Sequence, residues 1–424
     1  MAARYKAPRG TQDVLPEVSW RWQRVEAAFR DACRRYGYGE IRTPLFEDTD
    51  LFVHGTGETT EIVNKQMYTF EDRGGRSLTL RPEGTPPVVR AVLEHDLTAQ
   101  GQVQKLYYIA PIFRYERPQA GRYRQHTQLG LEVIGAAGPG IDAEVIALYH
   151  DFLDQIGLRG AGTHISSIGC PTCRPALTAV LREFFKPKLD QLCDFCQARY
   201  ETNPLRILDC KVPADVEARR GAPSALAYLC DECQQHFAGV RAHLDALQIP
   251  YEVDPTIVRG LDYYTRTTFE VIHPGLGAKD VIMGGGRYDG LAEMLGGPPT
   301  PGIGFGSGIE RLLLVTEQAG SPPVLDVYVA AAGPEARGPA LGLAIELRRA
   351  GLAADLDLTG RSLRAQMREA SRLGAHFAAL LGEDELRNGQ VTIRDMSSGK
   401  QETVARARAA AHLVARPAEA EDRT

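Results

Sequence analysis

Arginines and carboxylates crowd the segment 114–132, RYERPQAGRYRQHTQLGLE, which carries Arg114, Glu116, Arg117, Arg122, Arg124, Gln128 and Glu132. Most charge runs are solvated faces or hairpin tips. Here Arg114 directly follows the apolar IAPIF and Glu132 directly follows TQLGL, so with apolar strand on both sides the flanking charges are not expected all to be exposed. An arginine held in a sheet takes up phosphate bidentately, whereas a loose lysine offers only a point charge. Glu83 in LRPEGT, Gln128 and Glu132 supply acceptors for an ammonium or an imidazole. A pocket with both sets suits a zwitterion together with a polyphosphate. The segment VRGLDYYTRTTFE adds Arg259 beside Tyr263 and Tyr264. Two tyrosines in a strand are commonly cross-strand packing. The glycines of VIMGGGRYDGL (281–291) and GIGFGSGIERLLL (302–314) mark bulges or turns, or let a flat ligand lie against backbone, with Arg311 just beyond to reach its phosphate.

Three C-x-x-C pairs, Cys170/Cys173, Cys193/Cys196 and Cys230/Cys233, with Cys210 between the last two, form a second chemical cluster. The first two pairs are nineteen residues apart and fit the spacing of a four-thiolate zinc shell. A group of reduced, partly buried thiols is the alternative, since seven cysteines do not divide into four-ligand sites; no metal is assigned. Such an ion would staple structure and do no chemistry. No lysine is followed by Ser or Thr, so the G-x-x-x-x-G-K-[ST] phosphate loop is missing, as is G-x-G-x-x-G.

These residues need strands to hold them. SLTLRP, KLYYIAPIFRYE and TQLGLEVIG between 76 and 135 read as an antiparallel sheet that resumes at 251–272. Helical spacing of Trp22, Val25, Phe29, Ala32 and Cys33 predicts a helix over 19–36, and 141–156 predicts another. Between them GEIRTPLFED reads as a short strand whose Pro44 demands an edge or a bulge. The cysteine-bearing stretch, about 166–250, is helical in pattern. After EQAGSPP (317–323), a linker by composition, strands alternate with helices and end in a VTIRDM-SSGK-QETVA hairpin: a separate α/β domain with a mixed sheet. The expected division is thus a catalytic domain in two parts, 1–165 and 251–320, around an insertion at 166–250, with a C-terminal domain at 325–424. The fold class is α+β.

The 424 residues suit two to four domains, and 43% hydrophobic with 24% charged residues is ordinary globular composition. A net charge of −5 gives no global reason to expect nucleic acid, so a local patch must argue for it. No stretch reaches the roughly 18 apolar residues of a membrane helix. Met1 to Pro16 lacks the apolar core of a signal peptide. A cytoplasmic protein is expected, with no membrane and no DNA partner. The tail PAEAEDRT (417–424) is expected to be disordered.

Together the segments resemble histidyl-tRNA synthetase of bacterial type, a class II aminoacyl-tRNA synthetase. YGYGEIRTPLFE is similar to motif 1, FRYERPQAGRYRQHTQLGLEVIG to motif 2 and GIGFGSGIERL to motif 3. IVRGLDYY and GGGRYDGL resemble signatures particular to the histidine enzymes, and RSLRAQMREASRLGAHFAALLGEDEL resembles the anticodon-binding domain. Tyr115 and His126 stand at variable motif 2 positions. The class I signatures HIGH and KMSKS are absent. The family's regulatory paralogue charges no tRNA and typically lacks the C-terminal domain and parts of the catalytic signature, all present here.

The resemblance implies adenylation of L-histidine by ATP with Mg²⁺, then transfer to tRNA(His), in a homodimer built on the 19–36 helix and the strand near Pro44. It assigns Glu83, Thr85, Gln128 and Glu132 to the α-amino and imidazole groups, with Tyr263 and Tyr264 closing the side-chain pocket. Arg114 would bind the α-phosphate and the histidine carboxylate, Glu116 adenine, Arg122 the triphosphate and Arg311 the γ-phosphate. Arg259 would be the second catalytic arginine, opposite Arg114. Arg117, Gln119 and Arg124 are candidates for the acceptor stem. Arg361, Arg364, Arg368 and Arg372, spaced 3, 4 and 4 apart, form a candidate tRNA-backbone stripe opposite Leu363, Met367 and Leu373.

Overall fold

In the computed structural model residues 5–416 are described, other than 59, 278–280, 317–321 and 323. The chain forms two compact units, residues 1–319 and 320–424. The expected linker lies almost wholly, and the tail 417–424 wholly, outside the described residues.

The first unit is built on an eight-stranded sheet. In spatial order its strands are Gly39–Glu40, Gln104–Phe113, Gln125–Ile134, Gly302–Gly308, Val281–Arg287, Thr265–Ile272, Gly162–Ser167 and Glu252–Val253. The six central strands pair antiparallel, and only the two edge pairs are parallel. Period-two alternation sorts the faces. Leu129, Leu131 and Val133 join a core with Phe29 of the helix Pro16–Arg35 and with Tyr149 and Phe152 of the helix Pro139–Gln155. Gln128, Gly130 and Glu132 point the other way. There Tyr108, Tyr263, Tyr264 and Tyr288 form a second core with Val88, Val89, Leu181 and Phe185.

The sequence-predicted single strand at GEIRTPLFED is two. Gly39–Glu40 joins the large sheet, and Phe46–Asp48 joins a three-stranded sheet with Ser77–Leu80 and Tyr68–Glu71. Pro44, which has no N–H to donate, falls between them. Sequence patterning also misses the helix Thr85–Glu94. Its β-branched Val88, Val89 and Val92 read as strand, but Pro86 and Pro87 occupy the first turn, where the lost N–H has no helical partner anyway.

The insertion leaves the sheet at Ser167 and returns at Glu252, on neighbouring strands where His164 lies opposite Glu252. It contains the helices Arg174–Phe185, Asp194–Thr202, Pro213–Ala218 and Asp231–Ala246. The cysteine grouping expected from spacing is corrected. Cys170 and Cys173 gather with Cys230 and Cys233, and Cys193 and Cys196 with Cys210 and Asp215. The helix that starts directly after Cys173 carries the chain away before Cys193, so nearness in sequence is not nearness in space. A fully buried ion pair joins Arg287 of the sheet to Asp142 of the helix Pro139–Gln155, and His236 of the insertion meets it there. Arg287 Nε donates to both oxygens of Asp142 at 2.9 and 3.1 Å, and His236 Nε2 lies 2.9 Å from Asp142 Oδ2. Two backbone carbonyls, of Ala136 and Gly138, accept from Arg287 Nη2.

The second unit has a five-stranded mixed sheet in the order Ala354–Leu356, Val327–Ala331, Phe377–Leu381, Gln390–Asp395, Gln401–Ala405. The first three strands are parallel and the rest antiparallel. The arginine-bearing helix spans Leu363–Arg372 and buries Gln366 and Ala370, not Leu363, which is exposed. Arg361 precedes the Ser362 cap and pairs with Asp357 at 2.8 Å, and Arg372 pairs with Glu369 at 2.5 Å. Among the described residues Arg364 and Arg368 make no ion pair.

Candidate active site

Glu83, Thr85, Arg114, Glu116, Arg122, Gln128, Arg259, Tyr263, Tyr264 and Arg311 line one cavity on the face of the sheet opposite the Phe29 core. Arg114 directly follows one central strand, Gln128 lies on the next, and the loop 259–264 brings Arg259 and the two tyrosines across. Glu132 does not line the cavity. It is fully buried, taking hydroxyl donors from Thr85 at 2.7 Å, Tyr288 at 2.5 Å and Tyr108 at 3.5 Å. Burial pushes its carboxyl up to about 8.

Glu83 is the most deeply buried of the acidic residues that line the cavity. Its Oε2 accepts from the Tyr263 hydroxyl at 2.9 Å, while Oε1 is buried with no hydrogen-bond partner. Burial raises its pKa to about 7, against the downward pull of Arg114, Tyr263 and Arg259. A carboxylate with one oriented and one open oxygen, in low dielectric, is an acceptor for a cationic N–H. The rings of Tyr263 and Tyr264 lie 4.7 Å apart, and the Arg259 guanidinium sits 5.8 Å from the Tyr264 ring while pairing with Glu270. Arg114 is anchored by its Nε on the Pro82 carbonyl at 2.6 Å. Arg122 and Glu116 form an ion pair of 3.0 Å at the mouth. His126, beside Arg114 and Arg311, is driven down to about 3 by burial and those two charges, and is therefore neutral.

The glycine-rich strands clear space for the pocket's own side chains, a use the sequence reading did not foresee. None of Gly284, Gly304 and Gly306 has positive φ. A Cβ on Gly284 would strike the Arg259 guanidinium, one on Gly304 the Glu132 carboxylate, and one on Gly306 the Gln128 amide. Sequence reasoning also missed Tyr108 and Tyr288, the hydroxyls that satisfy Glu132. Tyr108 is paired with Gly130, midway between the inward-facing Gln128 and Glu132. A tyrosine opposite a glycine at that register was the available signal.

Of the tRNA candidates, Arg117 and Gln119 are exposed at the loop tip. Arg124 is stacked 3.8 Å from the Tyr115 ring and donates to the Glu116 carbonyl, part of the loop's base.

An antiparallel sheet that presents a motif 2 arginine and a motif 3 arginine to one cavity, with glycines beneath, defines a class II aminoacyl-tRNA synthetase catalytic unit. The family model for histidyl-tRNA synthetase matches residues 10–312, and that for the anticodon-binding domain matches 326–416. A histidine–tRNA ligase of Desulforudis audaxviator is 55% identical over 401 residues, covering 94% of this chain and 95% of that one. One from Pelotomaculum thermopropionicum is 51% identical over 403 residues, 94% of each. The crystal structure of apo S. aureus histidyl-tRNA synthetase matches with a TM-score of 0.83 at 39% identity, over 96% of this chain and 99% of that one. The chain belongs to the histidyl-tRNA synthetase family. Among the described residues no helix is long and apolar enough to cross a membrane.

Proposed function

We propose that the cavity binds histidine and ATP side by side and that Arg114 and Arg259 drive the chemistry. The family's reaction is histidine activation and transfer. A histidine carboxylate oxygen attacks the α-phosphorus, the bond to the bridging oxygen breaks and pyrophosphate leaves. A tRNA(His) terminal hydroxyl then displaces AMP from the carbonyl carbon. Attack of one anion on another requires charge to be neutralised in the transition state, which two arginines supply. No general base is needed for the first step, because the carboxylate is already ionised at pH 7. The observation that carries the reading is the buried Glu83–Tyr263 pair in the same cavity as both arginines.

Glu83 takes the cationic α-amino group or an imidazole N–H on its open oxygen. Thr85 and Gln128 help, and Glu132 sets their orientation from behind. Tyr263 and Tyr264 close the side-chain pocket. Glu116 meets adenine, and Arg122 and Arg311 take the outer phosphates. Glu310 fits magnesium: its Oε1 accepts from the Thr127 N–H at 2.8 Å and its Oε2 is buried with no hydrogen-bond partner. The ion would be held there and supply neutralising charge to the polyphosphate. The four-part division of the chain at 165, 250 and 325 belongs to the same proposal, as does a cytoplasmic setting. Arg117, Gln119, Arg361, Arg364, Arg368 and Arg372 are the exposed candidates for tRNA, with Arg124 half-buried at the base of its loop. A homodimer on motif 1 is supported by the exposure of Leu45, Phe46 and Phe70. The helix Pro16–Arg35 spends its Val25, Phe29, Ala32 and Cys33 on its own core.

ATP–pyrophosphate exchange with each of the twenty amino acids tests the reading. Exchange is expected with histidine alone, reduced at least ~100-fold in Arg259→Ala with histidine still bound. Exchange with another amino acid would sink the roles given to Glu83, Tyr263 and Tyr264. None at all from folded protein would favour the regulatory paralogue.

A further inference from the structure

Seven cysteines resisted division into four-ligand sites, and the fold supplies the eighth ligand. We propose that the insertion is a two-zinc module: one site of Cys170, Cys173, Cys230 and Cys233, the other of Cys193, Cys196, Cys210 and Asp215. In each group the ligand atoms all lie within 4.8 Å of one another. Cys170 Sγ is 3.8 Å from both Cys173 Sγ and Cys230 Sγ. Four thiolates at a Zn–S distance of about 2.3 Å in a tetrahedron stand about 3.8 Å apart. A disulfide would require about 2.05 Å, and all eight cysteines of the chain are free.

The backbone is arranged for thiolates as well. Cys173, Cys193 and Cys230 are the N-cap residues of three helices, Arg174–Phe185, Asp194–Thr202 and Asp231–Ala246. A helix N-terminus favours negative charge, so each pair sets one cysteine at the positive end of a helix dipole. The Cys230 N–H also donates to Cys173 Sγ at 3.1 Å. In the second group Asp215 is fully buried; its Oδ1 accepts from the Cys193 N–H at 2.8 Å and its Oδ2 has no hydrogen-bond partner. A buried, unpartnered carboxylate oxygen among three sulfurs is costly unless a cation completes it. Three soft ligands and one oxygen suit Zn²⁺.

The two sites flank the residues that hold the active-site loop. Cys173 immediately precedes Arg174, whose Nη2 donates to the Tyr264 carbonyl at 2.8 Å. Cys210 immediately follows Asp209, which pairs at 3.7 Å with Arg206, and Arg206 Nη1 donates to the Arg259 carbonyl. The ions therefore anchor, through Arg174 and Arg206, the loop that carries Arg259, Tyr263 and Tyr264.

Metal analysis of the purified, reduced full chain is the test, and it does not depend on the substrate assignment. Two zinc ions per chain are expected, and one each in Cys233→Ser and Asp215→Ala. Should those variants fail to fold, the chain grown on cobalt serves instead: two Co²⁺ per chain with tetrahedral thiolate spectra are expected. One ion or none, or iron in place of zinc, would overturn the proposal. Stripping both ions from active protein should lower histidine-dependent exchange at least tenfold, recovered on adding zinc. Unchanged exchange in the metal-free chain would overturn the anchoring role.

Discussion

Replacing Glu83 by glutamine should make the ligand-free protein more stable and less active, by amounts the site itself fixes. The carboxyl moves from an ordinary 4.5 to about 7 because burial disfavours its charge. Each pH unit of displacement corresponds to about 1.36 kcal/mol, so ionised Glu83 costs the fold about 3 kcal/mol. The sign follows from linkage. Below 4.5 the group is neutral in both folded and unfolded chains and the cost is absent. As pH rises from 4.5 through 7 the unfolded chain gives up its proton first, and folding stability falls; above 7 the full cost remains. Glu83→Gln keeps the amide oxygen that accepts from Tyr263 and removes the charge. The stability gap between variant and wild type should therefore widen with pH, by about 2 kcal/mol between pH 5.5 and 8. Urea unfolding of both proteins across that range, without ligand, measures the gap. Glu132 titrates in both chains, and loss of the Glu83 charge that helps raise its pKa widens the gap in the same direction. The variant should meanwhile lose at least ~30-fold in kcat/KM for histidine, having lost the anionic acceptor worth roughly 2 kcal/mol. A gap that stays constant, or narrows as pH rises, would refute the claim that burial governs Glu83.

Gly304→Ala should destabilise the chain by about 1–3 kcal/mol and abolish exchange, since the new methyl lands on the Glu132 carboxylate. Gly290→Ala, with nothing within 4 Å of its Cβ, is the control, and equal stability of the two would count against the packing argument. Arg287→Met should cost about 3–5 kcal/mol in urea unfolding, because it leaves the fully buried Asp142 charge without its main partner. A loss below about 1 kcal/mol would mean that His236 suffices.

The strands were legible because their side chains alternate. Leu129, Leu131 and Val133 against Gln128, Gly130 and Glu132 is a pattern only a two-faced sheet explains. The helices Pro16–Arg35 and Pro139–Gln155 were legible for the matching reason, a 3.6-residue stripe. Thr85–Glu94 was hidden by its valines, which tertiary burial overrides. Within the site, arginines and glutamates on either side of apolar runs gave themselves away. Tyr108 and Tyr288 did not, because a tyrosine's role rests on which carboxylate its hydroxyl meets across strands. The cysteine grouping failed similarly: spacing within a pair is local, whereas which pairs meet is decided by helices that sequence spacing does not orient. Asp215 carried no signal at all, being one acid among many.

The insertion leaves the sheet at Ser167 and comes back at Glu252 on the adjoining edge strand. Such an excursion is topologically closed: the strands it joins are parallel and need a crossover of about a dozen residues, and the six central strands pair identically whether it is that short or about eighty long. Between these points a gene can gain, lose or exchange coding sequence without disturbing the frame on which adenylation takes place. Inheritance is bound where side chains reach back: the guanidinium groups of Arg174 and Arg206 on carbonyls, His236 on Asp142, and the apolar Leu181, Phe185, Phe237 and Val240 in the two cores of the sheet. The two arginine contacts grip backbone and are blind to the letter carried there. At those two points the loop can change its side chains and remain joined to the insertion.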